Sequence, residues 1–248
     1  EGRYVLDLGR YFSGHGDYDT TETLALRKEA FMRIARIVRD LPEVEYFSIS
    51  GSNAFPNAGG FYGDAFFADT TQAAKEKGMH VQWTQNCCDE GSQFFLTYGM
   101  KDARNGKDII VPVDAADREL CFIPADMAKK MYGTVEVVGK KIFFAGGAQS
   151  AEIAGVFEDY KHRDYNQPYP FAVRFPKGLV STFGQLEYAI VFSVKSGVDA
   201  EAFEARFMKD VAPQLKQGNY YLNRLRTFEE VGESFAKAQG IHIKLNTQ

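Results

Sequence analysis

The spacing of apolar residues near the N terminus predicts a strand, a helix and a second strand. RYVLDLGRYF is rich in β-prone residues, the apolar positions after it recur at helical spacing, and EVEYFSIS again favours a strand. Asp19 and Glu22 have the spacing of a capping box, so the helix is expected to begin at about Thr20. Pro42 is expected to end it, which gives a strand-helix-strand unit over residues 3–50.

The same order of elements returns near the C-terminal end. Alternate residues of LEYAIVFSV are apolar, which predicts a strand with these side chains pointing inward: Leu186, Tyr188, Ile190, Phe192 and Val194. Asp199 is expected to cap a helix that ends at Pro213, and NYYLNRLR favours the next strand. Two such units, over residues 3–50 and 186–226, predict an α+β fold: a split βαβ sandwich with both helices on one face.

A last helix is predicted after the second unit. Thr227 and Glu230 form another capping box at its start. The apolar positions that follow lie on one stripe of a helix: Phe228, Val231, Phe235 and Ala238. This stripe predicts that one face of the helix is buried.

The middle of the chain has a different pattern, with short strands around short helices. QFFLTYGM favours a short helix or turn ended by Gly99, and Asn105-Gly106 favours a tight turn. A second short helix is expected over Ala125–Tyr132, with Gly133 at its end. The strands VEVVGKKIFF and AEIAGVFEDY, separated by AGGAQS, indicate a hairpin. We therefore predict a smaller, β-rich subdomain inserted into the first one.

The predicted boundaries follow from this interruption. The first subdomain is discontinuous and comprises residues 1–88 together with 178–248, and the inserted subdomain comprises residues 89–177. Before the insertion, MHVQWTQ alternates apolar and polar residues and favours a half-buried strand. The stretch GSNAFPNAGGFYGDAFFADTT carries five aromatic residues among Gly and Asn, and either contacts a partner or forms a local cluster of rings. The local cluster is the preferred interpretation.

Composition and charge exclude some classes of function. The hydrophobic residues make up 45% of the chain and the charged residues 25%, which is ordinary for a globular protein. The net charge is −4 and the sequence has no basic block, so nothing in it indicates nucleic-acid binding. No apolar run approaches the about 20 residues that cross a bilayer, and no signal peptide is recognised. The chain is therefore expected to be soluble as given, although a soluble piece can be cut from a membrane protein.

No catalytic, cofactor-binding or metal-binding residues are predicted. Gly133 and Gly139 are one residue too far apart for a phosphate-binding loop, and Lys141 stands where that loop needs Ser or Thr, so a structural role is favoured. KDARNGKD resembles a calcium loop, but Lys101 occupies its first ligand position. The histidines are scattered and have no metal-ligand spacing: His15, His80, His162 and His242.

The cysteines do not form a framework either. Cys87, Cys88 and Cys121 fit neither a disulfide scaffold nor zinc-ligand spacing, so buried or half-buried thiols are expected, with a vicinal disulfide or thiol site at Cys87 and Cys88 as the alternative. No nucleophile and base pair is recognisable, so the chain is not expected to be an enzyme. A site assembled only in three dimensions would leave no such trace.

Several stretches, taken in order, resemble the extracytoplasmic core domain of ABC-transporter permeases of the MacB/FtsX/LolE type. They are QFFLTYGM, FIPADMAKKMYG, VGKKI, and IAGVFEDYKHRDY with Pro168 and Pro170 after it. VKSGVDAEAFEARFMKDVAPQL resembles the family's later strand and helix, and TFEEVGESFAKAQG resembles its approach to the second membrane helix. Each motif is weak alone, but their joint order over about residues 90–248 is specific. Residues 124–126 depart from the family's usual Asn-Glu-Ala.

The resemblance implies the periplasmic, or extracytoplasmic, domain of an inner-membrane permease, flanked by its first two membrane helices. It implies a porter-like subdomain, split in sequence, with an inserted Sabre-like subdomain. It also implies a cytoplasmic ABC ATPase and a second permease copy as partners, with a periplasmic adaptor, lipoprotein or peptide cargo. The expected function is mechanotransmission, in which cytosolic ATP hydrolysis drives export or action on a periplasmic partner, and the final helix acts as the lever.

An alternative interpretation is an extracytoplasmic sensor or ligand-binding module, with the aromatic stretch at 54–67 lining its pocket. A stand-alone hydrolase is the least favoured class. The sequence leaves open the cargo, homodimer versus heterodimer, the branch of the permease family, and the redox state of Cys87 and Cys88.

Overall fold

The first predicted unit is present in the computed structural model, which describes residues 2–16, 18–54, 62–75, 78–159, 170–177, 183–184 and 187–238. The strands are β1 (Arg3–Arg10), β2 (Val44–Gly51), β3 (Tyr62–Phe66), β4 (Met79–Cys87), β5 (Leu120–Pro124), β6 (Lys141–Phe144), β7 (Gln149–Phe157), β8 (Phe171–Phe175), β9 (Tyr188–Val194) and β10 (Tyr220–Thr227). The α-helices are α1 (Leu24–Arg39), α2 (Thr70–Ala74), α3 (Phe94–Tyr98), α4 (Ala125–Tyr132), α5 (Ala200–Arg206) and α6 (Phe228–Ala238).

Helix α1 begins at Leu24, so the predicted start at about Thr20 is wrong. Thr23 is the N-cap, and its hydroxyl accepts a hydrogen bond from the Leu26 N–H at 3.2 Å. The Asp19 carboxylate instead accepts from the Thr21 N–H at 2.8 Å, which closes a turn ahead of the helix. This turn therefore uses the Asp19 carboxylate that the predicted capping box would need. Asp side chains accept backbone hydrogen bonds in turns as well as at helix N-caps.

The second unit consists of β9, α5 and β10, and Asp199 caps α5 by accepting from the Ala202 N–H at 2.7 Å, as predicted. The helical segment does not end at Pro213 as predicted. It continues through a π-helical turn at Phe207–Val211 and a 3-10 turn at Ala212–Leu215. Pro213 lies in the first turn of that last piece, where a missing N–H costs no intrahelical hydrogen bond.

The strands of the two units form one antiparallel sheet in the order β10–β1–β9–β2. Helices α1 and α5 cover the same face, as the prediction of a split βαβ sandwich requires. Ile190 and Phe192 of β9 are fully buried there, and Tyr188 and Val194 are partly buried, while Leu186 lies outside the described residues. We call these four strands with α1 and α5 the first lobe.

The sheet continues beyond β2 through β4, β8, β5 and β7 to β6, and β3 pairs with β4. Phe67, which directly follows β3, exchanges two backbone hydrogen bonds of 2.8 and 2.9 Å with Phe143 of β6. These bonds join β6 to the residue that follows β3. Six strands therefore close into a small barrel around a second hydrophobic core, in the order β3, β4, β8, β5, β7 and β6. We call these six strands with α4 the barrel lobe.

The local predictions within the barrel lobe are largely confirmed. Helix α4 has the predicted bounds and ends at Gly133, whose φ of 78° is left-handed. The hairpin of β6 and β7 is present, although β6 begins only at Lys141 because residues before it form turns, one with Gly139 at φ 91°. Left-handed backbone at these two positions is inexpensive for glycine alone.

The two lobes share strand β4. Its last residues, Asn86 and Cys87, pair with β2, whereas its residues 79–85 pair with β3 and β8. The sheet is therefore continuous, because β4 pairs with β8 of the predicted insertion and Phe67, directly after β3, pairs with Phe143 of β6. The division into residues 1–88 with 178–248 and residues 89–177 stays a prediction. In the part of the chain described, no helix is long and apolar enough to cross a membrane.

Candidate functional site

Helix α6 starts where the first and last strands of the chain lie side by side. Thr227, the last residue of β10, pairs with Tyr4 of β1. The Thr227 hydroxyl accepts a hydrogen bond from the Glu230 N–H at 3.1 Å, so the predicted cap is present. The first turn of α6 is thereby fixed next to the N-terminal end of β1.

The first turn of α6 is also held by a buried ring. Phe228 is 8% exposed and contacts Tyr98 of α3, with ring centroids 5.2 Å apart. Val231, one turn later, packs against the same core. This core lies on the face of the sheet opposite α1 and α5, because Tyr4 and Val5 alternate between the two. The side chains of Phe235 and Ala238, also in the predicted stripe, are outside the described part.

Stacked and tilted rings continue from Tyr98 into the barrel lobe. Tyr98 stacks on Phe94 at 4.3 Å, and Phe94 contacts Phe95 edge-on at 5.1 Å. Phe95 then meets three rings of the barrel strands β5, β7 and β8: Phe122 at 4.5 Å, Phe157 at 5.6 Å and Phe175 at 6.4 Å. We call the series Phe228, Tyr98, Phe94 and Phe95 the aromatic path; it joins α6 to the barrel lobe by direct contact.

The last turn of α3 leaves room for the side chain of Arg3 at the start of β1. Gly99 ends α3 with φ 71°, as the sequence predicted. A Cβ atom at Gly99 would lie 2.5 Å from Nη2 of Arg3, so the absence of a side chain gives that guanidinium its place. The start of β1, the end of α3 and the start of α6 thus meet in one cluster.

Polar contacts tie the same end of β1 to α5. The Tyr4 hydroxyl donates a hydrogen bond to Oε1 of Glu204 at 2.9 Å. Burial raises the pKa of Tyr4 above its ordinary value, and the charges of Glu204, Glu229 and Glu230 raise it further. Tyr4 therefore remains a neutral donor at physiological pH, and this contact does not titrate there.

The glycines and lysine considered for phosphate binding are apart from this cluster. Gly133 ends α4, Gly139 lies in a turn, and Lys141 is the exposed first residue of β6, so the structural interpretation holds. The stretch that resembled a calcium loop is closed by its own ion pairs, between Asp102 and Arg104 at 2.9 Å and between Lys101 and Asp108.

The three cysteines are free thiols without the character of nucleophiles. Cys87 and Cys121 are buried and Cys88 is half-buried. Burial raises the pKa of Cys88 to about 11 and that of Cys121 to about 12, and it raises the pKa of Cys87 as well. Since the thiolate is the reactive form, all three are protonated near neutral pH.

Metal-binding chemistry is not assembled in the described ranges, which contain no group of three or more His, Cys, Asp or Glu side chains placed to hold an ion. His15 and His80 are exposed. His162 and His242 lie outside the described residues, so their predicted surface positions stay predictions. The aromatic path, by contrast, brings together residues that are distant in the sequence.

Comparisons with known proteins agree with this architecture. The profile of the MacB-like periplasmic core domain matches residues 34–210. The periplasmic region of MacB from Actinobacillus actinomycetemcomitans is similar in structure, with a TM-score of 0.54, 10% identity, and coverage of 94% of this chain and 92% of that one. A domain of a putative permease protein from Porphyromonas gingivalis gives 0.51, 15% identity, and coverage of 98% and 94%.

The extracellular domain of the noncanonic ABC-type transporter YknZ from Gram-positive bacteria gives a TM-score of 0.48 at 12% identity, over 88% of this chain and 98% of that one. No curated protein is a significant match. At these identities the structural likeness shows the fold, while the profile spans most of the chain. This chain belongs to the family of MacB-like periplasmic core domains, the extracytoplasmic part of ABC-transporter permeases, which is not a known class of enzymes.

Proposed function

We propose that this domain transmits movement from the membrane part of a permease to the extracytoplasmic side, where it drives export or acts on a periplasmic partner. The observation that carries the proposal is the burial of Phe228 at the start of α6 and its contact with Tyr98. A helix can pass a displacement to a domain only if its first turn is packed on that domain. Protein interiors are close-packed and compress little, so a shift of Phe228 must be taken up by its neighbours.

The aromatic path gives that displacement a route. Its rings link α6 to α3 and then to strands β5, β7 and β8 of the barrel lobe. The pairing of Tyr4 with Thr227 also supports the proposal, because it places the start of α6 beside the start of β1, at the same end of the sheet.

The proposal includes the partners that such a role needs. A cytoplasmic ABC ATPase subunit or domain would supply the motion, a second permease copy would complete the transporter, and an adaptor, lipoprotein or peptide cargo would receive the output. The domain itself would carry out no chemistry. Residues 1–88 with 178–248 would act as the porter-like subdomain and residues 89–177 as the Sabre-like insertion.

The alternative, a ligand-binding module with residues 54–67 lining its pocket, has less support. Residues 55–61 lie outside the described residues. Phe66 and Phe67 are buried in the barrel lobe, and Tyr62 stacks on Trp83 at 4.9 Å. These contacts are those of a local cluster of rings.

The test is the variant Phe228→Asp in the intact permease with its ATPase, reconstituted in vesicles. Truncating a buried Phe costs about 3–5 kcal/mol of packing, and a carboxylate at that position adds a desolvation cost. A free-energy change of about 1.4 kcal/mol alters an equilibrium constant tenfold, which is less than the cost of this substitution. We therefore expect the amount transported per ATP hydrolysed to fall by roughly tenfold or more, while ATP hydrolysis continues.

The matched control is Glu233→Ala on the exposed face of the same helix, which should leave coupling unchanged. Phe235→Asp combined with Phe228→Asp extends the test along the predicted stripe. Normal transport per ATP in a folded Phe228→Asp complex would show that α6 is not the lever.

A further inference from the structure

A cavity lies in the sheet of the first lobe, at the point where two neighbouring strands separate. In the described part of the chain, β1 pairs with β9 only through Arg3, Tyr4 and Val5. Beyond Val5, β1 continues to Arg10 beside β10, whereas β9 begins at Tyr188 beside β2. The two strands therefore diverge toward the C-terminal end of β1.

The cavity has a volume of about 460 Å³ and lies between these diverging segments. Its wall includes Leu6 and Leu8 of β1 and Ala189 of β9. Phe31 of α1 lines the cavity from one face of the sheet, and Val231 of α6 lines it from the other. Because side chains of both hydrophobic cores border the same space, the cavity passes through the layer of strands.

The size and the wall of this cavity are those of a small-molecule site. Native interiors contain few voids larger than a water molecule, whereas ligand pockets usually measure roughly 300–1,000 Å³. The apolar part of the wall combines aliphatic side chains with the aromatic side chains of Phe31, Phe183 and Tyr220. A molecule with an apolar body, such as a fused aromatic ring, fits a wall of this kind.

The charged side chains of the wall have an excess of positive charge. Arg10, Arg27 and Arg226 line the cavity, and the carboxylates that line it are Asp7 and Glu187. Glu187 is exposed, so water screens its charge. Three guanidinium groups against two carboxylates favour a ligand with one negative charge.

Tyr220 brings two of these guanidinium groups together. The guanidinium carbon of Arg10 is 5.2 Å from the Tyr220 ring centroid, and Nε of Arg27 donates a hydrogen bond to the Tyr220 hydroxyl at 3.3 Å. Arg10 also forms an ion pair with Glu22. Arg27 instead lies over the ring of Phe183, with its guanidinium carbon 5.5 Å from the centroid, and forms no ion pair with any described residue.

Arg27 is therefore the group best placed to meet an anion. Since its Nε is engaged by Tyr220, its two terminal NH₂ groups are the donors that remain. They form a planar fork whose geometry matches a carboxylate.

We propose that this cavity binds an organic monocarboxylate, with the apolar body against the wall at Phe31 and Leu8 and the carboxylate on the terminal NH₂ groups of Arg27. A phosphate ester would bring a second negative charge that the wall does not balance. The proposal does not rest on the lever role of α6, because binding is measured on the domain alone, without transport.

Isothermal titration calorimetry of the folded domain tests the site, with sodium naphthoate as the probe and the ionic strength held constant with chloride. We expect saturable binding at one site. Naphthamide has nearly the same shape without the charge, and it should bind at least about tenfold more weakly because a charge-assisted hydrogen bond is lost. Naphthyl phosphate should also bind more weakly than naphthoate.

The variant Arg27→Gln should weaken naphthoate binding by about tenfold or more and leave naphthamide binding unchanged, because only the interaction with the charge is lost. Arg27→Lys keeps the charge without the fork and should bind naphthoate with intermediate affinity. Arg33→Gln, on the exposed face of the same helix, is the matched control and should bind naphthoate as the wild type does. Circular dichroism and thermal unfolding establish that each variant is folded.

Four results would overturn the proposal. Naphthoate without saturable heat would mean that the cavity is not a binding site. Equal affinities for naphthoate and naphthamide would exclude recognition of the charge, and tighter binding of naphthyl phosphate would exclude a carboxylate as the preferred anion. Undiminished naphthoate binding by folded Arg27→Gln would place the anion elsewhere.

Discussion

Replacing Phe95 with Ala tests whether the aromatic path is a true packing junction between the lobes. Phe95 is fully buried, and its ring lies within 6.4 Å of Phe94, Phe122, Phe157 and Phe175. A buried Phe removes about 200 Å² from water, which at about 25 cal/mol per Å² is roughly 5 kcal/mol. The Ala side chain retains part of this burial free energy, whereas the cavity left by the ring and the lost ring contacts add to the cost of the substitution.

We therefore expect Phe95→Ala to lower the free energy of unfolding by about 4 kcal/mol, within the usual range for such truncations. The measurement is urea denaturation of the isolated domain, followed by circular dichroism. Phe12→Ala is the matched control, because Phe12 is 65% exposed and its loss should cost less than about 0.5 kcal/mol.

The comparison of the two variants decides the argument. A loss below about 1 kcal/mol for Phe95→Ala would mean that the junction relaxes around the missing ring, contrary to the close packing on which the path depends. Equal losses for both variants would refute the assignment of Phe95 to the core.

Two further predictions concern titratable groups. In the folded domain at pH 8, Cys88 should react with a thiol reagent roughly a hundredfold more slowly than an ordinary thiol, because burial raises its pKa to about 11. Cys87 and Cys121 should react only when the domain unfolds. Rapid reaction of all three thiols in the folded domain would contradict this prediction. The Asp102 pKa is lowered chiefly by its hydrogen bond from Arg104, so the stability it contributes is present above its ordinary value of 3.8 and is lost as pH falls through the lower folded pKa. Asp102→Asn should thus be destabilising at pH 7 and approach the wild type in acid, and a difference independent of pH would exclude the ion pair as its cause.

Local signals in the sequence were sufficient for most elements of the fold. Alternation and helical spacing predicted the two strand-helix-strand units, and the caps at Asp199 and Thr227 are those observed. The glycine at 133 ends its helix with the left-handed backbone that only glycine adopts cheaply. These features depend on neighbours within a few residues, so the sequence contains all the information that they need.

The errors arise where a distant partner decides between local alternatives. Asp19 and Thr23 are both competent caps, but the Glu22 side chain needed for the predicted box is held by Arg10 and by the Asn219 amide, the latter at 2.7 Å. A residue nearly two hundred positions away thus engages one of the two side chains of the predicted box. The extension of the helical segment past Pro213 likewise depends on Val211 and Leu215, which are buried in the core of the first lobe.

The family resemblance came from motif order along the chain, and the sequence by itself determined the element types, the paired units and the lack of a recognisable catalytic motif. Only the tertiary structure decided that Phe228 meets Tyr98, that Phe67 and Phe143 close a barrel, and that Arg174 lies over the rings of Trp83 and Phe144. The physical reason is the distance along the chain over which each kind of interaction acts. Caps, turns and periodicity are set by backbone geometry over a few residues, whereas packing and desolvation depend on which distant side chains share a volume, and periodicity does not specify those partners.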